Sequence, residues 1–193
     1  MKTEELDQLR KKMGILYQSA ALFNSMTVGE NVAFPLMEHA RLARHIIEIM
    51  VRIKLEMVGL SGFEALMPSQ ISGGMKKRVG IARALALDPE LVFYDEPGAG
   101  LDPVTLAAID QLILDLTKKL GITSVVVTHE MASAFRIADF MIMMHGGEVI
   151  EMGRPDEIRV SQNPILKQFV QGSADGPIPL RRNSEEYLKS LLG

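Results

Sequence analysis

The chain has 193 residues, 47% of them hydrophobic and 23% charged, an ordinary balance for one packed domain with at most a subdomain. A net charge of −3 provides no basic field to attract nucleic acid, and the absence of cysteine excludes disulfides and thiolate metal sites. The apolar runs at 124–127 and 140–144 are far too short to cross a bilayer, and the charged N-terminus lacks the apolar core of a secretory signal. Work at a membrane would therefore run through a partner, without direct membrane insertion. The 13 methionines lie scattered among aliphatic residues and read as core filler.

In chain order, residues 1–12 read as a polar helical start, and the apolar run from Ile15 reads as a strand ending at Gln18. Residues 24–35 read as turn-rich. A helix follows with Ile46, Ile49, Met50, Ile53 and Met57 on one face, expected to pack on the core and to end at Gly59 and Gly62. Ser72 is a good N-cap for a helix from about 74 to 87, stopped by Asp88-Pro89. Leu91-Val92-Phe93-Tyr94 reads as a buried-type strand, 106–120 as an amphipathic helix closed by Gly121, and 124–128 as a second buried-type strand. Residues 131–137 are helical, and 140–144 and 148–151 flank a hairpin turn at His145-Gly146-Gly147. This alternation predicts an α/β fold with a mainly parallel sheet covered by helices. Residues 173–183 form a Pro/Gly linker, and 184–192 a short helix.

Several segments carry possible chemistry. Asp95 and Glu96 end an apolar strand, at the edge where open α/β sheets bind ligands. Asp95 there can hold Mg²⁺, usually through water, and Glu96 can face an attacking water as general base. Strands also end in acids because the chain reaches solvent, and taken singly that reading competes. Ser72, Gly73 and Gly74 open a helix whose free N–H groups and permissive backbone suit a phosphate, or simply a capped turn. The following Lys76-Lys77-Arg78 is either a solvated face or added positive potential. His129 follows a strand directly, Gln18 ends another, and Asp102-Pro103 reads as an N-cap and first helical position.

Order and spacing together decide among these readings. Gln18, Ser72-Gly73-Gly74, Asp95-Glu96, Gly100-Leu101-Asp102 and His129 resemble the Q-loop, signature motif, Walker B, D-loop and H-loop of ABC-type transporter ATPases. The resemblance covers about residues 13–172. Met75, where most relatives carry glutamine, is similar to the Mla-type group serving bacterial phospholipid transport. The segment from Gln18 to Leu36 and the tail from Gly172 to Pro179 point the same way.

The resemblance implies a P-loop NTPase core. Its helical subdomain spans about 24–75, sheet and helices span 76–172, and a linker with a C-terminal helix spans 173–193. It implies ATP and Mg²⁺ as cofactors and a head-to-tail homodimer with two ATP molecules between the copies. Gln18, Asp95, Glu96 and His129 of one subunit would serve each site, with Ser72, Gly73 and Gly74 from the other. Asp95 and Gln18 would hold the metal, Glu96 and His129 would act catalytically, and Asp102 would link the two sites. A transmembrane permease would be driven from the cytoplasmic face of the membrane, and the helix at 184–192 would clasp the partner subunit.

No Gly-x-x-x-x-Gly-Lys-Ser/Thr segment occurs in the 193 residues, and 17 residues precede Gln18. The resemblance places that loop, an adenine-stacking aromatic and an N-terminal β-subdomain upstream. The chain is therefore expected to be N-terminally truncated, to lack the Walker A strand, to expose apolar surface and to bind ATP weakly alone. The principal reading is an ATP-hydrolysing transporter subunit. The alternatives are a non-catalytic module that offers its signature segment to an intact partner, and a fragment that does not fold alone.

Overall fold

The computed structural model describes residues 3–178; the predicted helix at 184–192 lies outside the described residues. The chain divides into two compact units between Ile137 and Ala138.

The first unit is built on a parallel sheet in the order β1 (Met13–Leu16), β2 (Leu91–Asp95), β3 (Thr123–Val127). Helix α1 (Thr3–Lys11) leads into it, with acids in its first turn and bases in its last, as the helix dipole favours. Leu16, Val92 and Tyr94 are buried in a core shared with Val79, Ile81, Leu85, Ile109 and Ile113. The alternate residues Ile15, Val125 and Val127 are exposed, so helices cover one face of this sheet. Among the described residues the predicted buried strand at 124–128 is thus an edge strand, with Val126 packed on the core and Val125 and Val127 exposed.

Two expectations need correction. The stretch read as turn-rich contains helix α2 (Val28–His39), with Pro35 inside it. A capping box starts it: Thr27 Oγ1 accepts from the Glu30 amide at 3.2 Å, and Glu30 Oε2 accepts from the Thr27 amide at 2.7 Å. Burial of Val28, Asn31, Val32 and Leu36 outweighs the one backbone bond lost at Pro35. Helix α3 (Arg44–Met57) exists, but its buried face is Val51, Lys54 and Leu55, flanked by Ile47 and Met50. Ile46, Ile49 and Ile53 point to solvent. The apolar pattern misassigned the face because Lys54, a charged residue, is buried, its ammonium bonded to the Asp88 carboxylate.

Helix α4 (Gly73–Ala84) ends earlier than predicted, and 85–87 form turns. Gly14 on β1 lies against it so closely that a Cβ would press on the Ala84 carbonyl. Helix α5 (Pro103–Leu120) starts at the predicted proline and closes on Gly121 in the left-handed region, and α6 (Met131–Ile137) follows β3.

In the second unit, β4 (Met141–His145) and β5 (Glu148–Gly153) form the expected antiparallel hairpin, turned by Gly146 and Gly147 at φ 60° and 85°. Helices α7 (Pro155–Val160) and α8 (Pro164–Gln171) follow, which the sequence reading did not delineate. Each begins with proline at its first position, and Asn163 caps α8.

Replacing Gly14 by alanine sets a methyl group against a main-chain carbonyl that cannot rotate away. Urea unfolding of Gly14→Ala is expected to show a loss of about 1–3 kcal/mol; unchanged stability would mean β1 and α4 are not in close contact.

Candidate active site

Parallel pairing aligns Asp95 with Val127, so β2 and β3 end side by side. The Glu96 amide donates to the Val127 carbonyl at 2.9 Å, extending the ladder by one residue. Glu96 then turns into the left-handed region at φ 46°, a conformation that L-residues adopt only when their surroundings enforce it. Its carboxylate reaches the residue just past β3. Glu96 Oε1 lies 2.7 Å from His129 Nδ1 and accepts from the His129 amide at 3.1 Å. Thr128 Oγ1 donates to Glu96 Oε2 at 3.4 Å and accepts from the Glu130 amide at 3.0 Å. Glu96 is mostly shielded, its side chain 16% exposed, whereas His129 is 63% exposed.

The hydrogen bond to Glu96, and then its charge, raise the His129 pKa above the ordinary 6.5. The protonated ring donates through Nδ1, which leaves Nε2–H for an outer acceptor. Glu130 Oε1 is 3.8 Å from that nitrogen.

Asp95 and Gln18 meet across an open cavity of about 530 Å³ lined also by Tyr17, Ser19, Ala99 and Gly100. Asp95 is exposed at the strand end. Among the described residues no cluster of three carboxylate or imidazole groups could cage a metal. One carboxylate beside an amide oxygen, in a cavity open to solvent, fits Mg²⁺, which uses few protein ligands and completes its shell with phosphate and water.

Ser72, Gly73 and Gly74 lie elsewhere. Ser72 Oγ accepts from the Met75 amide at 3.2 Å and caps α4. At Gly74 a Cβ would stand 2.7 Å from Thr105 Cγ2, so glycine lets this turn lie on the first turn of α5. Asp102 caps α5, accepting from the Val104 and Thr105 amides at 3.0 Å each and from Thr105 Oγ1 at 2.5 Å. The Thr105 hydroxyl bond is the main reason the Asp102 carboxyl sits below its usual range. The structure thus pairs Glu96 with His129, and Gln18 with Asp95. It sets the Ser72–Gly74 turn beside Asp102 and Thr105, and no hydrogen bond of Ser72 reaches Glu96 or His129.

Sequence reasoning missed the polar groups that hold these pieces. Lys77, left open between solvated face and added potential, is 5% exposed, and its ammonium donates to the carbonyls of Gln18 and Glu96. Burial lowers its pKa, opposed by the charges of Glu96 and Asp95. Helical spacing was the available signal, since Lys77 shares a face with the buried Gly80 and Ile81. The fully buried Asp110 ties α5 to α6, accepting from Ser133 Oγ at 2.6 Å and from the Arg136 guanidinium.

Two acids at the end of a central parallel strand, an imidazole just past the next strand and a glycine-rich helix start mark an α/β domain of the nucleotide-hydrolysing class. The ABC transporter family model matches residues 1–99. The chain is 42% identical over 192 residues to the intermembrane phospholipid transport system ATP-binding protein MlaF of Haemophilus influenzae, spanning all of this chain and 73% of that protein. It is 41% identical to the Escherichia coli MlaF, 71% of which is covered. It is also 40% identical over 183 residues to the probable ribonucleotide transport ATP-binding protein mkl of Mycobacterium tuberculosis, spanning 95% of this chain and 51% of that one. Among solved structures, the ATP-binding cassette MJ0796, a dimer bound to ADP and Pi, superposes with a TM-score of 0.71 at 34% identity, over 80% of this chain and 68% of that chain. CbiO1 of Clostridium perfringens, part of an ABC transporter complex, gives 0.76 at 28% identity, over 98% and 71%. The chain belongs to the ATP-binding, ATP-hydrolysing subunits of ABC transporters.

The raised His129 pKa has a definite sign. Stability from the Glu96–His129 pair is fully present below the unfolded value of 6.5 and is lost as pH rises through the higher folded value. Proton NMR is expected to show the His129 ring titrating above 6.5, and Glu96→Gln to bring it down. An unchanged titration in that variant would mean that the two side chains do not interact.

Proposed function

We propose that this chain is the ATPase subunit of a transporter that moves phospholipid, working as a head-to-tail pair bound to a permease on the cytoplasmic face of the membrane. Identity of 41–42% to MlaF proteins across 192 residues supports the cargo class, and the dimeric state of MJ0796 supports the pairing. Among the described residues no helix is long and apolar enough to cross a membrane. A groove of about 990 Å³ between α2 and α3, lined by Ala33, Met37, Leu42, Ile47 and Val51, offers apolar surface to a permease segment.

The observation that carries the mechanism is the 2.7 Å contact between Glu96 and His129 at the ends of adjacent parallel strands. Bound ATP with Mg²⁺ supplies the phosphoryl group and the neutralisation of its charge. Asp95 and Gln18, which line one cavity, would hold that cation. Glu96 keeps Oε1 fixed by His129 and presents Oε2, which has a long 3.4 Å contact to Thr128, to take a proton from water. His129 Nε2–H faces outward to meet a phosphate oxygen. Ser72 and the two glycines present the N-terminus of α4, with its unpaired amides, to the nucleotide of the second copy. Asp102, exposed at the N-cap of α5, lies at the junction between copies.

In the assembled transporter, Glu96→Gln is expected to lower ATP turnover by about 10²–10⁴-fold while ATP still drives pairing, seen by light scattering. Hydrolysis at the wild-type rate would remove Glu96 from its role. Cargo class is tested by ATPase rate in proteoliposomes. Stimulation when phospholipid acceptor vesicles are supplied, and none with ribonucleotides, is expected; the reverse would favour the mkl-like reading.

A further inference from the structure

Helix α4 carries a stripe of three residues at i, i+3 and i+6, Lys77, Gly80 and Arg83, that faces the turn after β1. The buried Lys77 ammonium donates to the Gln18 carbonyl and, at 2.8 Å, to the Glu96 carbonyl. Gly80 lets the helix touch the turn, since a Cβ there would stand 2.6 Å from Leu16 Cδ1 and 3.1 Å from Ala20 Cβ. Arg83 donates to the carbonyls of Ala20 and Ala21 at 2.6 and 2.8 Å, with its guanidinium 5.8 Å from the Phe23 ring centroid. From α2, the Asn31 side chain accepts from the Phe23 amide at 2.8 Å and donates to the Phe23 carbonyl at 3.1 Å.

What these groups hold is a strained segment. Ala20 and Ala21 both sit at positive φ, 61° and 44°, where the Cβ of an L-residue crowds its own backbone. Two successive residues of that kind relax to ordinary conformations unless something outside the turn fixes them. Glu96, on the other side of the Lys77 ammonium, is also at positive φ, 46°. One cation therefore grips the main chain at two unfavourable turns, each carrying a candidate site side chain. The helix bearing that cation is capped by Ser72 and begins at Gly73.

We propose that Lys77 is a positioning residue that ties the Gln18 turn to the main chain of Glu96, so that α4, whose N-terminus carries the Ser72-Gly73-Gly74 segment, sets the place of both site residues in its own subunit. This rests on reading Gln18 and Glu96 as site residues. Contact of the second copy's nucleotide with Ser72 then bears, through one rigid helix, on the water-activating side of the local site. Three donors on a flexible stem let Lys77 serve two carbonyls at once, and the carboxylates of Asp95 and Glu96 offset its buried charge.

The test has a structural and a kinetic arm. Hydrogen–deuterium exchange of the chain without nucleotide reads amide protection at residues 17–22, including the Ala20 amide bonded to Tyr17 O at 2.8 Å. Lys77→Met is expected to raise exchange there at least tenfold with the rest of the first unit unchanged; Lys77→Arg, which keeps charge and donors, stays within threefold of the native rate. In the assembled transporter, Lys77→Met is expected to cut kcat at least tenfold with KM for ATP altered less than threefold, and Lys77→Arg to restore it. Exchange that rises uniformly across the unit, or an activity loss matched by lost folded protein, would reduce Lys77 to a packing residue and overturn the proposal. Should Lys77→Met not melt cooperatively, Lys77→Gln carries the same exchange readout. If Glu96→Gln retains turnover, the site reading fails, whereas native protection at 17–22 in Lys77→Met sinks the tether itself.

Discussion

Side-by-side parallel pairing of β2 and β3 is the constraint on which the site depends. With Asp95 opposite Val127 and the Glu96 amide bonded to Val127 O, the two strands run out at the same edge. Glu96 and His129, 33 residues apart in sequence, then meet at 2.7 Å. A one-residue slip would send every side chain of β3 to the opposite face and separate the pair. The left-handed turn at Glu96 is what aims its carboxylate sideways, and the Val127 carbonyl and the Lys77 ammonium hold that turn.

Buried charge marks the junctions between elements. Lys54 joins α3 to Asp88 after α4, Lys77 joins α4 to the ends of β1 and β2, and Asp110 joins α5 to α6 through Ser133 and Arg136. A buried ion pair adds little net stability over apolar packing, but deleting one partner is costly, so such groups define position more than they add strength. The apolar core they interrupt is otherwise continuous from Leu16 to Leu116.

The sheet and hairpin leave apolar side chains open to solvent. Ile15, Val125 and Val127 lie on the uncovered face of the first sheet, and Ile142, Met144, Val149 and Met152 are exposed on the hairpin. Parallel strands rarely tolerate water on one face, so the uncovered face of the first sheet is suited to burial.

Much of the fold was legible because the physics behind it is local. Strands β1 to β5 follow from short apolar runs, α5 from Asp102-Pro103 and Gly121, and the hairpin from Gly146-Gly147, since capping and left-handed turns depend on a few neighbouring residues. The spacing from Gln18 to His129 likewise picked out the candidate site residues, because each lies near a strand end or helix start that sequence alone can mark. Helix α2 was hidden by Pro35, whose local penalty is overridden by burial of Val32 and Leu36, and the inward face of α3 was misread because Lys54 finds its partner 34 residues away. Only the tertiary structure decided that Lys77 is buried rather than solvated, and that the Gln18 turn and Glu96 share its ammonium. Neither fact is encoded near position 77: a charge is buried or exposed according to which distant carbonyls the packing brings within reach.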